Sequence, residues 1–381
     1  MTDPLEHILK LAREIGPRPS AGEGERKAAE YIEEQLKGFG YYVKTEPFRS
    51  VRSFSHAYIL VFLLATAGFI VATVLDKAAF GLLLTGIALV AFVGENTTTL
   101  HLATALIPTG QSQNVVGRLA ARELPRRRLV LCAHYDSARS GLIWHHALAR
   151  RFRLTFLTEA VSLLLLPIIF GAQAITGIRV LGYAAVPFGA VVVVALLLLI
   201  QRELFGKHVE GANDNASGVA VMLSLAEALA ADASADTEVM VVATGCQEAG
   251  LVGMQNFVKA HIDDLERAWI INIDNVGAGD VSYTTAEGML LRHPTGKNLV
   301  EVAARVEQAP GINVSGRPFR VVSTDIEPLL LRRLDAITVI ATRDGVPVNW
   351  HWKTDTLENI DPDSIDTAYR FVEAMVRRLI A

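Results

Sequence analysis

The amino-acid sequence predicts an α/β domain with a mostly parallel central sheet flanked by helices, interrupted by two inserted transmembrane helical hairpins. Three observations carry this reading. Short β-branched apolar runs alternate with stretches of helical periodicity. Four long runs almost free of charge come in two pairs, each close to the roughly 20 residues a helix needs to span a bilayer. The chain is 51% hydrophobic with mean hydropathy +0.32, high for a soluble protein.

Taken in order, the opening MTDPLEHILKLAREIG lacks a basic segment followed by an apolar run and a small-residue cleavage site, so no secretory signal is expected. Ala28, Ile32, Leu36 and Phe39 form an apolar stripe at helical spacing, which Gly38 and Gly40 end before the strand-like YYVKTEPF. The first hairpin pairs Ala57–Leu75 with Ala78–Gly94 across Asp76 and Lys77. The second pairs 160–175 with 180–200 across Thr176, Gly177, Ile178 and Arg179. Its first member holds Pro167 and Gln173 with Glu159 at its edge, a composition open to a kinked, interfacial or re-entrant course.

RRLVLCAHYD, EVMVVATGC, AWIINIDNV and AITVIAT read as strands buried on both faces, and 218–231 fits a helix. The tail from Pro362 to Ala381 is an amphipathic helix with Ala368, Phe371, Val372, Met375, Val376 and Leu379 on one stripe. Residues 1–55, 95–153 and 201–381 therefore form one domain, interrupted by hairpins over 56–94 and 154–200.

Thirty-six basic and forty acidic residues give a net charge of -4, which supplies no basic surface for nucleic acid. Cys132 and Cys246 lie far apart in apolar runs, so no disulfide framework is indicated. Arg49, Arg52, Arg139, Arg150, Arg151, Arg153, Arg202 and Lys207 flank the spans on the side of the polar domain, against Lys77 and Arg179 at the hairpin tips. This asymmetry predicts an integral protein of the cytoplasmic membrane, in contact with lipid, whose polar domain faces the cytoplasm. Apolar hairpins also make self-association into a homo-oligomer plausible.

Residues able to hold a metal stand where the strands end: His134 and Asp136 after LVLCA, Asp214 in GANDNASG, Glu248 after VVATGCQ, Asp274 after WIINI, and His351 in VNWHWKTD. In open α/β sheets ligands gather beyond the carboxyl ends of strands. Histidines mixed with several carboxylates suit zinc, or another divalent metal such as manganese or cobalt, and a bridging carboxylate suits a pair of ions.

The series IGPRPSAGEGERKAAEYIEEQLKGFGY, QNVVGRL, LVLCAHYDS, GANDNASGVAVMLSLAEAL, QEAGLVGM, NIDNVG and HWKTDT resembles, in order, the motifs of the di-zinc aminopeptidase family, peptidase family M28, whose relatives include glutamate carboxypeptidases and glutaminyl cyclases. The resemblance covers nearly all of the polar chain. It implies a zinc aminopeptidase-like fold and hydrolysis of N-terminal residues from peptides. It further implies two Zn²⁺ ions: one held by His134 and Asp274, one by Glu248 and His351, with Asp214 bridging and Asp136 supporting His134 from behind. A second-shell or loop-fixing role is open for Asp355.

One position departs from the family pattern. Where the EExGLxG signature has a glutamate that takes a proton from the attacking water, this chain has Gln247, with Glu248, Gly250, Leu251 and Gly253 in register. An amide donates and accepts hydrogen bonds but cannot take that proton. The sequence leaves open a metallopeptidase of impaired turnover, a catalytically inactive metal-binding scaffold or peptide-binding module, or another base, Asp136, His145 or His146. Because one hairpin precedes QNVVGRL and the other separates His134 from Asp214, the expected substrate is a membrane-delivered peptide.

Overall fold

The computed structural model describes residues 2–97, 100–125, 127–232, 234 and 236–381. Its strands are β1 (Tyr42–Ser50), β2 (Gly110–Leu119), β3 (Arg127–His134), β4 (Thr237–Thr244), β5 (Ala268–Asp274), β6 (Asp280–Glu287), β7 (His293–Pro294), β8 (Ser315–Phe319) and β9 (Ala336–Thr342). The principal helices are α1 (Glu23–Gly38), α2 (Ser55–Thr73), α3 (Ala78–Asn96), α4 (Phe152–Thr176), α5 (Val186–Phe205), α6 (Gly218–Ala231), α7 (Val252–Leu265), α8 (Lys297–Glu307) and α9 (Pro362–Ile380). The chain divides into two compact units. One contains Met1–Arg52, Thr109–Ser140 and Lys207–Ala381, the other Ser53–Pro108 and Gly141–Gly206. Residues 53–55, 95–97, 100–108, 141–153 and 201–206 thus fall with the apolar helices.

The first unit is built on one sheet in the order β1-β2-β4-β3-β5-β9-β6-β7, with β8 beside β6. Its centre, β4-β3-β5-β9, is parallel. This parallel centre is the one expected; at the flanks β1, β2 and β6 run antiparallel to their inner neighbours. The reason is visible in the residues. Leu129, Leu131 and Ala133 of β3 enter the core on one face of the sheet, while Val130 and Cys132 enter the core on the other. Such doubly covered strands read as continuous apolar runs and sit in the parallel centre. β1 instead carries Lys44, Glu46 and Arg49 and forms an edge.

Helices α1, α6, α8 and α9 cover one face, and α7 with Glu327–Leu330 covers the other. In α1 the stripe Ala28, Ile32 and Leu36 is buried, and the helix gives way after Phe39 to Gly40, whose φ of 93° turns the chain toward β1. The α9 stripe is buried as its spacing predicts, and the ring of Phe371 stacks on Tyr283 at 5.8 Å.

The second unit holds four helices, α2, α3, α4 and α5, long and apolar enough to cross a membrane. α4 runs unbroken through Pro167. The fourth apolar run differs from the expected single segment: Val180–Ala184 is a short separate helix, and the long helix begins at Val186 with Pro187 in its first turn. A proline there lacks only an N–H that the first turn leaves unpaired in any case. Small residues allow α2 and α3 to approach closely, since a Cβ added at Gly81 would lie 2.4 Å from the Cβ of Ala72. Asp76 and Arg179 pair at 2.6 Å between the two hairpin tips. At the other end of the helices, the buried Arg202 donates to Ser53 and Ser55 and lies over the Phe54 ring.

Phe371→Ala should therefore destabilise the first unit by about 3–5 kcal/mol, the usual cost of deleting a buried aromatic ring. The melting temperature of the full chain in detergent would fall by several degrees, whereas replacing exposed Arg378 with alanine would barely move it.

Candidate metal centre

The parallel strands deliver the centre. β3 ends on His134 and β5 on Asp274, and β3 runs in register with β4, His134 opposite Thr244, so the loop after Thr244 brings Glu248 to the same edge. Asp214 lies in the irregular turn Ala212–Ser217 that leads into α6, and Gly211 opens it with a φ of 64°. A side chain at Gly211 would also collide with Asp214 O at 2.5 Å. The next glycine of the motif, Gly218, is needed because a Cβ there would sit 2.2 Å from Ile273 O. The Asp214–Asn215 peptide bond is cis.

Two groups of donor atoms result, His134–Asp214–Asp274 and Asp214–Glu248–His351, with the atoms of each group within 4.8 Å of one another. Asp214 belongs to both through different oxygens. Its Oδ1 lies 3.2 Å from His134 Nε2, and its Oδ2 lies 3.1 Å from His351 Nε2. Asp274 Oδ1 stands 3.5 Å from His134 Nε2, and Glu248 Oε1 3.1 Å from His351 Nε2. All five residues are buried. Asp214 Oδ2 and Glu248 Oε1 are buried atoms that find no hydrogen-bond geometry among the described residues.

Three carboxylates thus converge on two imidazoles out of water, a concentration of charge that a bound divalent cation would offset. Burial pushes Glu248 up, while Asp214 is held well below the carboxylate range by His134 and His351 against its own burial. His351, despite burial, is raised to about 9 by Glu248 and Asp214. Oxygen and imidazole donors of this kind fit zinc.

Around the donors, acidic side chains grip backbone amides. Asp136 accepts from Gln247 N at 3.0 Å, from Glu248 N at 3.1 Å and from Ser20 Oγ at 2.7 Å, and its Oδ1 stands 3.4 Å from His134 Nδ1. Asp355 accepts from Asn213 N at 2.6 Å and Asp214 N at 3.2 Å, fixing the loop of the shared aspartate. Asn215 Oδ1 takes the amides of Gly218 and Asn275, while Asn275 Nδ2 donates to both Asp214 and Asp274. Cys246, expected inside a strand, lies beyond the end of β4 with a φ of 52°, and both cysteines are buried thiols.

Sequence reasoning missed several supporting residues. Arg18 is wholly buried, and its guanidinium donates to the carbonyls of Leu11, Gly16, Tyr135, Glu210 and Gly211, tying the entry to Asp214 to the end of β3. Burial lowers it to about 10, opposed by Asp355, Asp136 and Asp214, so it stays charged at neutral pH. Asp325, also buried, accepts from Thr244 Oγ1, and burial raises it to about 7. Glu25 accepts from Ala21, Ser112 and Cys246. The one available signal was charge placed within the turn-forming run GPRPSAGEGE. His145 and His146 belong to the second unit, at the short helix His146–Ala149.

Residues 194–376 match the model of Peptidase family M28. The chain is 36% identical over 86 residues to the alkaline phosphatase isozyme conversion protein of Escherichia coli (strain K12), a stretch covering 22% of this chain and 24% of that relative, so it spans about a quarter of the relative's length. In fold it is similar to a zinc aminopeptidase from Bacillus subtilis, with a TM-score of 0.60 at 16% identity over 99% of this chain and 94% of that one. It is similar also to an aminopeptidase from Aneurinibacillus sp. strain AM-1, with a TM-score of 0.59 at 16% identity over 99% and 93%. A glutaminyl cyclase from Bacteroides thetaiotaomicron matches with a TM-score of 0.58 at 13% identity over 98% and 96%.

Arg18→Lys keeps the charge but loses the planar fork, leaving several buried carbonyls without donors. The full chain should lose about 3 kcal/mol or more of stability, seen as a lowered melting temperature.

Proposed function

We propose that this chain, whose residues 194–376 match the model of Peptidase family M28, belongs to that family and is a membrane-bound zinc metallopeptidase of the aminopeptidase type, with its general-base position occupied by glutamine. The observation that carries the reading is the division of Asp214, whose two oxygens serve two separate donor groups. His134 and Asp274 would hold one zinc, Glu248 and His351 a second, and Asp214 would bridge them. Zinc bound there would polarise the scissile carbonyl and acidify the attacking water.

The chain's own residues do the rest. Asp136 accepts both the Gln247 and Glu248 amides and stands against His134, so it orients one ligand from each proposed ion. Those contacts leave it poorly suited to act as the base. A glutamate at 247 would take a proton from the attacking water and return it to the departing amine. Glutamine can hold that water by a hydrogen bond without taking its proton. The residue thus favours, as a second reading, a metal-binding pseudopeptidase that retains peptide or protein partners at the membrane.

The unit carrying the donors faces the cytoplasm on this reading, from the arginines beside the spans. An impermeant amine reagent applied to intact cells should modify Lys77 and spare Lys207. The second apolar hairpin departs after Ser140, four residues beyond Asp136, and the chain returns at Lys207, seven before Asp214. That is at most about 14 Å of chain on the first side. We therefore expect membrane-delivered peptides as substrates, and a lipid-linked peptide should be cleaved with higher kcat/KM than its soluble counterpart by the protein in vesicles. Equal values would remove this substrate class.

Two measurements test the core of the proposal. Metal analysis should find two zinc per chain, one after His351→Ala and none after Asp214→Ala. On aminoacyl anilides with zinc present, Gln247→Glu should raise kcat/KM by about 10²–10⁴. Equal, substantial activity in both forms would mean that another group acts as base.

A further inference from the structure

Glu25 stands in the first turn of α1, where an acid ordinarily caps the helix. One of its oxygens does this: Oε2 accepts the Ala21 amide at 2.8 Å and the Ser112 hydroxyl at 2.9 Å. The other oxygen points elsewhere. Oε1 accepts the Cys246 amide at 2.8 Å and lies 3.3 Å from the Cys246 thiol, 221 residues along the chain. Capping does not require that second contact.

Its setting is specific. Cys246 has a φ of 52°, a conformation that non-glycine residues keep only when their surroundings impose it. Gly245 precedes it, and a Cβ there would fall 3.0 Å from Glu25 Oε1 and 2.7 Å from Gln113 O, so the close approach depends on glycine. The next two amides, Gln247 and Glu248, go to Asp136. Two carboxylates thus hold three consecutive N–H groups. The arrangement also places two acids near one another out of water, and burial together with the Asp136 charge drives Glu25 well above the usual carboxylate range. A neutral side chain would cap the helix without that cost.

We propose that Glu25 is a positioning residue for the 246–248 loop, setting through the Cys246 amide where the position-247 side chain and the Glu248 carboxylate stand relative to Asp214 and His351. This rests on the zinc-peptidase reading above. Glu25→Gln keeps the size but replaces one acceptor oxygen with an NH₂ donor, which must face either the Cys246 amide or the Ala21–Ser112 pair. Ser112→Ala removes a partner of Oε2 only and reports the capping role by itself.

The experiment uses the full chain in detergent, loaded with zinc by titration and, separately, with cobalt for its visible spectrum. Glu25→Gln should weaken one of two zinc equivalents by about 10–100-fold and change the cobalt spectrum, while Ser112→Ala leaves both metal readouts unchanged even if its melting temperature drops. In the Gln247→Glu background, Glu25→Gln should lower kcat with KM unchanged. Should Glu25→Gln fail to fold, Glu25→Asp, which keeps the carboxyl group one methylene shorter, should show the same selective loss at smaller size. A parent chain that binds no zinc overturns the zinc reading and this proposal together. Two unaltered zinc equivalents with an unaltered cobalt spectrum in a folded Glu25 variant overturn this proposal alone.

Discussion

The rest of the first unit is arranged around one electrostatic problem, the confinement of many acids in a small dry volume. Asp136, Asp214, Asp274, Asp325, Asp355 and Glu25 are all buried, with Glu248 among them. Each would be costly alone. The protein answers in three ways. Backbone amides of the site loops turn toward Asp136, Asp355 and Glu25. A buried cation, Arg18, lies within electrostatic reach of Asp355, Asp136 and Asp214 while spending its hydrogen bonds on carbonyls. The remaining oxygens, on Asp214, Glu248 and Asp274, converge where a divalent cation would neutralise them.

This arrangement ties chemistry to backbone conformation. Cys246, Leu251, Asn275 and His351, all in the loops around the donors, adopt positive φ without being glycine. Such residues persist where their neighbours over-determine them, and for Cys246 and Asn275 those neighbours are acids, Glu25 in one case and Asp214 with Asp274 in the other. Fixing these loops and placing the candidate donors are therefore one task. The parallel centre of the sheet makes this possible, because in-register strands end at one edge and release their loops toward a common point.

Much of this was legible in the sequence, unevenly. The central strands announced themselves because both their faces are covered, which leaves an uninterrupted apolar run such as LVLCA. Helix α9 was legible from its stripe. His134 and Asp274 could be singled out because a polar residue ending such a run stands at a strand terminus. What brings Asp214, Glu248 and His351 to them is loop geometry, which no local pattern encodes; only the ordered series of motifs suggested it. Arg18 and Glu25 escaped notice for a related reason: a charge among turn formers looks solvated until its partners, more than a hundred residues away, are known. The direction of the flanking strands was not legible, because an edge strand such as β1 carries direction in its partner, not in its composition.

The first unit is assembled from three separated stretches of chain, and this has a consequence for biosynthesis. β1 can pair with β2 only after the first apolar hairpin has been made, and Arg18 meets Glu210 and Gly211 only after the second. β3 finds β4 more than a hundred residues after it has been synthesised. Contacts of such sequence separation close slowly, because the entropy of the intervening loop is lost before they form. Membrane insertion of the hairpins would shorten those loops in effect, by anchoring their ends near one another before the ribosome has finished. On the membrane-bound reading proposed above, the lipid bilayer would act as a folding template, and insertion of the hairpins would precede closure of the sheet.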